Sequence, residues 1–400
     1  MHDQETTLLY EAVAGEAVRK SYPEAFPALP DLPTARYVDP HFYDLEMQHV
    51  WKKSWLTAGH VSELPKAGSY KLFDQLGLSI IISRGADDTI RAFHNICRHR
   101  GSALLLEPTG TARRFVCPYH AWGYNAEGAL TSVPEAHNFA CLDKSEKGLI
   151  PVRCETMKGL IFINLDNEAK PLAEAMAPVA RQIGAFPIEN MAAKGTIRVE
   201  IACNWKAAYD NFLEIYHLAT VHAKSLMPYL EPSSFSVSLF EGGHSRFATR
   251  KKKGATIFNT DLPVPHAAPQ FKDHTIGLPT FPNIFTALDP VGFTFQSFWP
   301  AGPNKMVMDA MMMGWPDDSE QDALYWADMR TNIESILAED LLLFPGIQRS
   351  IESGMLPAMT MSYQERAIYW YHEEIDRMIG AENIPEALRV VPVLADHISR

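Results

Sequence analysis

Four hundred residues is long for one hydrophobic core, so the chain is expected to hold two domains. Hydrophobic residues at 46% and charged residues at 21% give the balance of a globular enzyme, and a net charge of -12 speaks against nucleic acid or an anionic membrane surface as the main partner. No apolar run approaches the roughly 18 residues of a membrane-spanning helix, and the acidic start lacks the basic and apolar regions of a signal peptide.

Taken in order, residues 1–40 read as an N-terminal arm, with a helix over 6–22 and then an extended passage set by Pro23, Pro27, Pro30 and Pro33. Apolar residues at helical spacing (Phe42, Leu45, Val50, Trp51) predict a helix leading into a domain that runs from 41 to 166. Within it, short strands are expected at 69–77, 78–83, 89–95, 113–118 and 159–165, with Gly and Asp between them, which makes a small all-β domain. The third region, 167–400, opens with a short helix and a strand at 196–204, then turns helical from 204 to 222 behind Asn204 as N-cap. Further strands are predicted at 235–243, 245–252, 284–290, 293–300 and 305–315, followed by a long helix over 320–344 capped by Ser319, a further helical piece ending before Gly354, and a last helix over 363–379 stopped by Gly380. Strands and helices segregated in this way predict an α+β fold. The run Lys251 to Lys253 reads as a solvated loop. Cys141, Cys154 and Cys203 are an odd set, expected as free buried thiols in a reducing compartment, the cytoplasm.

The most informative stretch is Asn95 to Tyr124. It holds Cys97-x-His99, then seventeen residues, then Cys117-x-x-His120. One Cys and one His from each of two loops suit a [2Fe–2S] cluster with two thiolates on one iron and two imidazoles on the other. Structural zinc also accepts two Cys and two His, although zinc fingers pair Cys with Cys along the sequence. A zinc-stabilised interaction protein would be colourless where an iron–sulfur protein is red-brown.

The motifs CxHRG and CPYHxWxY in this stretch are those of the Rieske family, which the chain resembles directly. The resemblance implies one [2Fe–2S] cluster per subunit held by Cys97, His99, Cys117 and His120. It also implies a second domain with one Fe(2+), in a helix-grip-like arrangement of an antiparallel sheet covered by helices. The stretch Asn211, Glu214, Tyr216, His217, His222 resembles the family's mononuclear-iron motif NxxExYHxxxxH. The bland reading of two histidines five apart is a pair of core or surface side chains.

A third ligand can be sought by geometry. At ~100° per residue on the long helix, Asp340 falls about 20° from Ile333, inside the stripe of Trp326, Met329, Ile333, Ile336, Leu337 and Phe344. A carboxylate there is costly unless paired or metal-bound, whereas Glu339 points off the stripe and is expected in solvent. A buried salt bridge is the alternative for Asp340. Two His and one carboxylate form the facial set of non-haem Fe(II) oxygenases, and Glu339-Asp340 with Gln348 looks like the family's ED…Q pattern. Positions 217 and 222 would point ~140° apart on an ideal helix, so a break or π-type widening is expected between Tyr216 and His222. Glu214, three residues before His217, is read either as accepting the imidazole N–H or as an exposed helix residue. The resemblance implies that Glu214 bridges to His120 of a neighbouring subunit in a homotrimer.

These readings lead to the terminal oxygenase of a multicomponent system. It would take electrons from NAD(P)H only indirectly, through a ferredoxin or flavin reductase, since no GxGxxG follows a strand. The products would be those of hydroxylation with O2, including N- or O-dealkylation of a small organic substrate. Glu at position 214 resembles the choline/carnitine monooxygenase and demethylase-like branch, and a ring-dihydroxylating α subunit is the alternative. A Rieske electron carrier with a non-catalytic binding domain is a further reading from a different class. Arg98, Arg100, Arg113 and Arg114 lie near the cluster loops as a docking patch or as solvated charges. Phe212, Leu218, Val221, Phe281, Asn283, Phe295 and Phe344 are candidates for the substrate wall or for plain core, and aromatics among them suit an apolar substrate or a quaternary ammonium.

Overall fold

A computed structural model describes residues 2–184, 186–253, 269–317 and 319–399. The chain forms two compact units, one of residues 52–172 and one of residues 1–51 with 173–400.

The smaller unit is built on a seven-stranded antiparallel sheet. Its order is Leu56–His60, Leu160–Asn164, Pro151–Met157, Ile90–His94, Ile80–Arg84, Ser69–Phe73, Thr109–Thr111. A three-stranded sheet of Arg114–Val116, Gly123–Asn125 and Leu130–Ser132 carries the second Cys/His loop. The core of this unit runs through Tyr70, Ile81, Phe93, Phe115, Trp122 and Tyr124, and both Cys97 and Cys117 belong to it.

The larger unit holds a second seven-stranded antiparallel sheet, in the order Ala192–Ile201, Lys305–Gly314, Gly292–Gly302, Ile284–Leu288, His274–Gly277, Ser245–Arg250, Ser236–Leu239. The strand at His274–Gly277 was not expected from sequence, being too short to show alternation. The helix Glu320–Leu341 starts where Ser319 accepts the Asp322 N–H at 3.1 Å, and buries Trp326, Met329, Ile333, Leu337 and Asp340 along one side. It is shorter than expected, so Phe344 opens a separate helix, Phe344–Glu352. The helix Arg366–Ile379 ends at Gly380, whose φ of +87° is open to glycine at little cost.

Residues 41–51, expected in the small β domain, lie in the larger unit. The reason is a buried polar network that fastens this segment and the preceding arm there. Lys206 meets Glu46 at 2.9 Å with both side chains fully buried, and Arg36 meets Asp376 at 2.7 Å. Tyr37 donates to Asp210, and Trp51 packs edge-on against Trp205 at 4.8 Å. Removing one member of a buried pair of this kind leaves an uncompensated charge and costs about 3–5 kcal/mol. The Pro-rich arm is not free either, since Leu32–Pro33 pairs with Ala358–Met359.

Candidate metal centres and cavity

In the smaller unit the two ligand loops share one backbone design. The N–H of Cys97 donates to Ser102 O at 2.8 Å and Gly101 N–H to Cys97 O at 2.9 Å; Cys117 N–H donates to Trp122 O at 2.8 Å and Ala121 N–H to Cys117 O at 3.0 Å. The fifth residue of each turn is left-handed, Gly101 at φ +79° and Ala121 at φ +56°. Cys97 and Cys117 are buried and free of any disulfide. The Tyr124 hydroxyl accepts the Arg98 N–H at 3.0 Å and lies 3.6 Å from Cys97 Sγ. Burial pushes the Cys117 thiol up, but backbone N–H groups of Tyr119 and His120 aimed at the sulfur outweigh it and bring its pKa below the usual value. The rings of His99 and His120 lie 4.7 Å apart, and His99 stacks on Trp122 at 4.9 Å with a buried Nδ1 that has no hydrogen-bond partner. Two buried thiols free of any disulfide and an imidazole nitrogen without a protein partner fit a [2Fe–2S] cluster. Arg98 donates to Gly148 O and Arg100 lies over the Tyr119 ring, while Arg113 and Arg114 are exposed. Cys141 is exposed and Cys154 half-buried, so only Cys203 of the three remaining thiols is fully buried.

In the larger unit the helix begun behind Asn204 stops early, spanning only Trp205–Asn211. After an irregular stretch a 3-10 turn at Tyr216–Ala219 carries His217, and hydrogen-bonded turns carry His222. No regular α-helix joins the two histidines, and Glu214 lies outside any helix. Even so, Glu214 hydrogen-bonds His217 Nδ1 with one oxygen and accepts the Tyr216 and His217 backbone N–H groups with the other.

One ligating atom each from His217, His222 and Asp340 falls within 4.8 Å of the others. Asp340 Oδ1 lies 3.3 Å from His222 Nε2 and 3.7 Å from His217 Nε2; it is buried and makes no hydrogen bond of good geometry. The expectation that Glu339 is solvated is corrected. It meets His222 Nδ1 at 2.6 Å and accepts from Ser225 Oγ at 2.5 Å, because the turns after Ala219 bring residues 222–225 over the helix. Desolvation raises the Glu339 carboxyl, and the bonds from Ser225 and His222 more than reverse it. Burial lowers His222, but Asp340 and Glu339 outweigh it and raise its pKa, the environment of a site that wants positive charge. Both imidazoles are thus held by a carboxylate at Nδ1 and offer Nε2 toward Asp340, a donor set that fits one divalent iron with positions left open. Gln348 acts elsewhere, accepting the Asn204 N–H at 2.7 Å and so fixing the start of the short helix.

Beside this trio lies a cavity of about 180 Å³. One wall is a single face of the sheet, built from Phe247, Thr249, Thr275, Phe285, Ala287, Thr294 and Gln296; the others are Ile333, Ile336 and Leu337 of the long helix and residues between 211 and 230. Of the residues singled out from sequence for this wall, Phe212 and Leu218 line it and five do not. Phe295 is opposite Thr286, on the other face from Phe285 and Gln296, which pair with each other. A one-residue error in strand parity moves a side chain through the sheet. Phe281 packs against Tyr371 and Asn283 donates to Phe298 O at 3.1 Å, both in the core. Phe344 is buried at the head of its own helix and Val221 is half-buried in the turns, neither of them on the cavity. Alternation along 284–288 and 292–302 was the signal that could have found Phe285, Thr294 and Gln296.

Among the described residues, no helix is long and apolar enough to cross a membrane. Residues 54–144 match the Rieske [2Fe-2S] domain, and residues 188–381 match the catalytic domain of the ring hydroxylating alpha subunit. The carnitine monooxygenase oxygenase subunit of Escherichia coli (strain K12) is 34% identical over 206 residues, covering 50% of this chain and 55% of the relative. The benzene 1,2-dioxygenase subunit alpha of Pseudomonas putida is 37% identical over 190 residues, covering 46% and 42%. The chain thus spans about half the length of the curated relatives it matches. A solved quaternary ammonium Rieske monooxygenase superposes with a TM-score of 0.78 at 21% identity, covering 91% of this chain and 99% of that one, which establishes the fold. With a Rieske domain that binds a [2Fe–2S] cluster followed by a catalytic domain of the kind that binds mononuclear iron, the chain belongs to the Rieske non-haem iron oxygenase family.

Proposed function

We propose that this chain is the terminal oxygenase component of a multicomponent system that inserts oxygen from O2 into a small organic substrate. The observation that carries the reading is the meeting of His217, His222 and Asp340 on the wall of a largely apolar cavity. In this reading Cys97, His99, Cys117 and His120 hold the cluster, and His217, His222 and Asp340 hold a ferrous ion. When bound, the cluster supplies electrons one at a time and the ferrous ion activates dioxygen.

The protein's own residues do the rest. Glu214 and Glu339 fix the tautomer and aim of the two imidazoles, and the phenylalanines and leucines of the cavity keep water from the reacting carbon. Overall, R–H, O2, two electrons and two protons give R–OH and water. Where the hydroxylated carbon bears nitrogen or oxygen, the product collapses to an aldehyde and the dealkylated amine or alcohol. The electrons come from NAD(P)H through a separate ferredoxin or flavin reductase, and Arg100, Arg113 and Arg114 offer an exposed basic surface near the cluster loops for it.

Glu214 already holds His217, and we assign it the inter-subunit bridge to His120 of a neighbouring subunit in a homotrimer. The three cysteines outside the cluster loops, free of disulfides, support our reading of a reducing compartment, the cytoplasm. The domain limits we assign are an arm over residues 1–40, with the cluster domain ending near 166 and the catalytic domain following it.

A second reading, cis-dihydroxylation of an aromatic ring, draws on the aromatic lining of the cavity and the benzene dioxygenase relative. The test is a product screen with the iron-loaded protein, a surrogate reductase and panels of aromatic ethers, N-alkyl amides, quaternary amines and simple arenes. Formaldehyde supports dealkylation and a cis-diol the second reading; no O2-dependent product from any panel removes both. Glu214→Gln should still bind both metals when iron is saturating but lose most coupled turnover, and normal turnover by that variant removes its bridging role.

A further inference from the structure

The sheet wall of the cavity is shaped by one row of residues across four strands. Phe247 stands opposite Gly277, Gly277 opposite Ala287, and the same register carried on places Thr294 next in the row. Facing residues of antiparallel strands share a sheet face, so on the cavity side the row runs from a phenyl ring to no side chain, then a methyl, then a threonine.

Gly277 gives this row its shape. A Cβ there would fall 2.2 Å from both Cε2 and Cζ of Phe247. Gly277 is not among the residues with positive φ, so the glycine provides close approach rather than an unusual backbone conformation. Phe247 therefore lies down across the Gly277 backbone and meets Phe285 nearly parallel, at 5.5 Å and 21°. Phe212 leans on Phe285 at 5.5 Å and on Phe298 at 4.9 Å, toward the end of the wall away from Ala287. The three rings gather to one side of Ala287 and leave the space in front of its methyl open.

Among the described residues that line the cavity, Ala287 has the smallest side chain. On its strand Ile284, Thr286 and Leu288 are buried, while Phe285 and Ala287 keep partial exposure on the cavity face. Ile333, Ile336 and Leu337 of the long helix supply another wall. The cavity holds about 180 Å³, and an apolar cavity of about 150 Å³ takes benzene, so one ring with a short substituent fills it. Two fused rings exceed that space, and three more carbons at position 287 would leave less than one ring requires. A ring seated on Ala287 also meets Phe285 beside it, and aromatic pairs gain more than the area they bury.

We propose that Ala287 sets the size and shape of the accepted substrate: its methyl, with Phe247 held down over Gly277, leaves a slot for one aromatic ring with a short substituent, packed beside Phe285. The proposal rests on the oxygenase reading for the identity of the cavity.

The test is isothermal titration of the iron-loaded holoenzyme, without reductant, with anisole, methoxycyclohexane and 2-methoxynaphthalene. Anisole should bind saturably, methoxycyclohexane about fivefold more weakly for want of the aromatic contact, and 2-methoxynaphthalene at least about tenfold more weakly through overpacking. Ala287→Leu should weaken anisole at least about tenfold, and Ala287→Gly should narrow the gap between the two aromatic ethers about threefold. Gly277→Ala should also weaken anisole, because the new methyl lifts the Phe247 ring into the slot. Cluster colour and the thermal midpoint report whether each variant has folded; should Ala287→Leu not fold, Ala287→Val is expected to move anisole in the same direction by a smaller factor. Unchanged anisole affinity in the folded position-287 variant overturns the proposal. So does wild-type binding of methoxycyclohexane or 2-methoxynaphthalene as tight as that of anisole, or no binding of anisole at all. If the expected binding pattern is found but no oxygenated product forms with reductase and O2, the oxygenase reading fails and the size assignment stands. Oxygenated product from 2-methoxynaphthalene at the efficiency of anisole would do the reverse.

Discussion

The loops bearing Cys97 and Cys117 repeat one five-residue turn, closed by the same pair of backbone hydrogen bonds, and all four side chains come from within 24 consecutive residues. The trio His217, His222 and Asp340 has no such backbone template. It draws on a 3-10 turn, irregular turns and a helix more than a hundred residues away, and its imidazoles are aimed by side chains, Glu214 and Glu339. The first site is a local backbone design whose geometry survives wherever the hairpins form. The second exists only once the sheet, the long helix and the 211–230 segment have packed, so its precision rests on two carboxylates.

That contrast can be broken most severely at the ligands. Cys117→Ser should bleach the visible absorption and lower iron content by about two per chain while the larger unit keeps its ion. Asp340→Ala should leave the colour intact and cut oxygenated product by more than about 100-fold, with the missing iron traced by metal analysis. Loss of colour in the second variant would mean that the sites are not separable.

A smaller effect separates backbone from side-chain support. Glu339→Gln should weaken binding of the mononuclear ion by about 10–100-fold, read by competition with a chelator, without moving the cluster's spectrum. Unchanged affinity would mean that His222 is positioned by packing alone.

The larger unit should also be the acid-sensitive one. His244 is fully buried, accepts the Phe281 N–H at 3.1 Å, and burial lowers its pKa from 6.5 to about 4. A depressed folded pKa means that this stability is complete above pH about 6.5 and is lost as the pH falls toward 4, about 3 kcal/mol for this one group. The thermal midpoint of the larger unit should fall across that window, and a flat profile would contradict the burial of a neutral His244.

The smallest effects test the repeated turn. A Cβ at Gly101 meets no atom within 4 Å, so Gly101→Ala should cost about 1–3 kcal/mol through backbone strain alone. Ala121→Gly, at the matching left-handed position, should change stability by no more than about 1 kcal/mol. Denaturant unfolding followed by the cluster colour checks both.

Legibility in the sequence followed the same division. The cluster loops could be read because their residue types and spacing lie in one stretch, and most sheet strands were expected within a few residues of their places. Asp340 was found through the helical stripe, since burial of a carboxylate is a tertiary fact with a local periodic signature. Glu339, one position earlier, escaped because its partners His222 and Ser225 come from turns where the sequence suggested a helix at 222 and gave no sign of the contact. The wall residues were missed in part by parity: Phe295 and Gln296 are adjacent in sequence and on opposite faces of the sheet.

The sequence alone determined the two-unit α+β plan, the four residues of the cluster loops and the composition of the second site, because these depend on residue type, spacing and period. Which side of each strand meets the cavity, where the short helix stops, and which carboxylate holds which imidazole were decided only by the tertiary structure. Those choices turn on contacts between segments far apart in the chain, and no local pattern encodes which of two neighbouring side chains will find its partner.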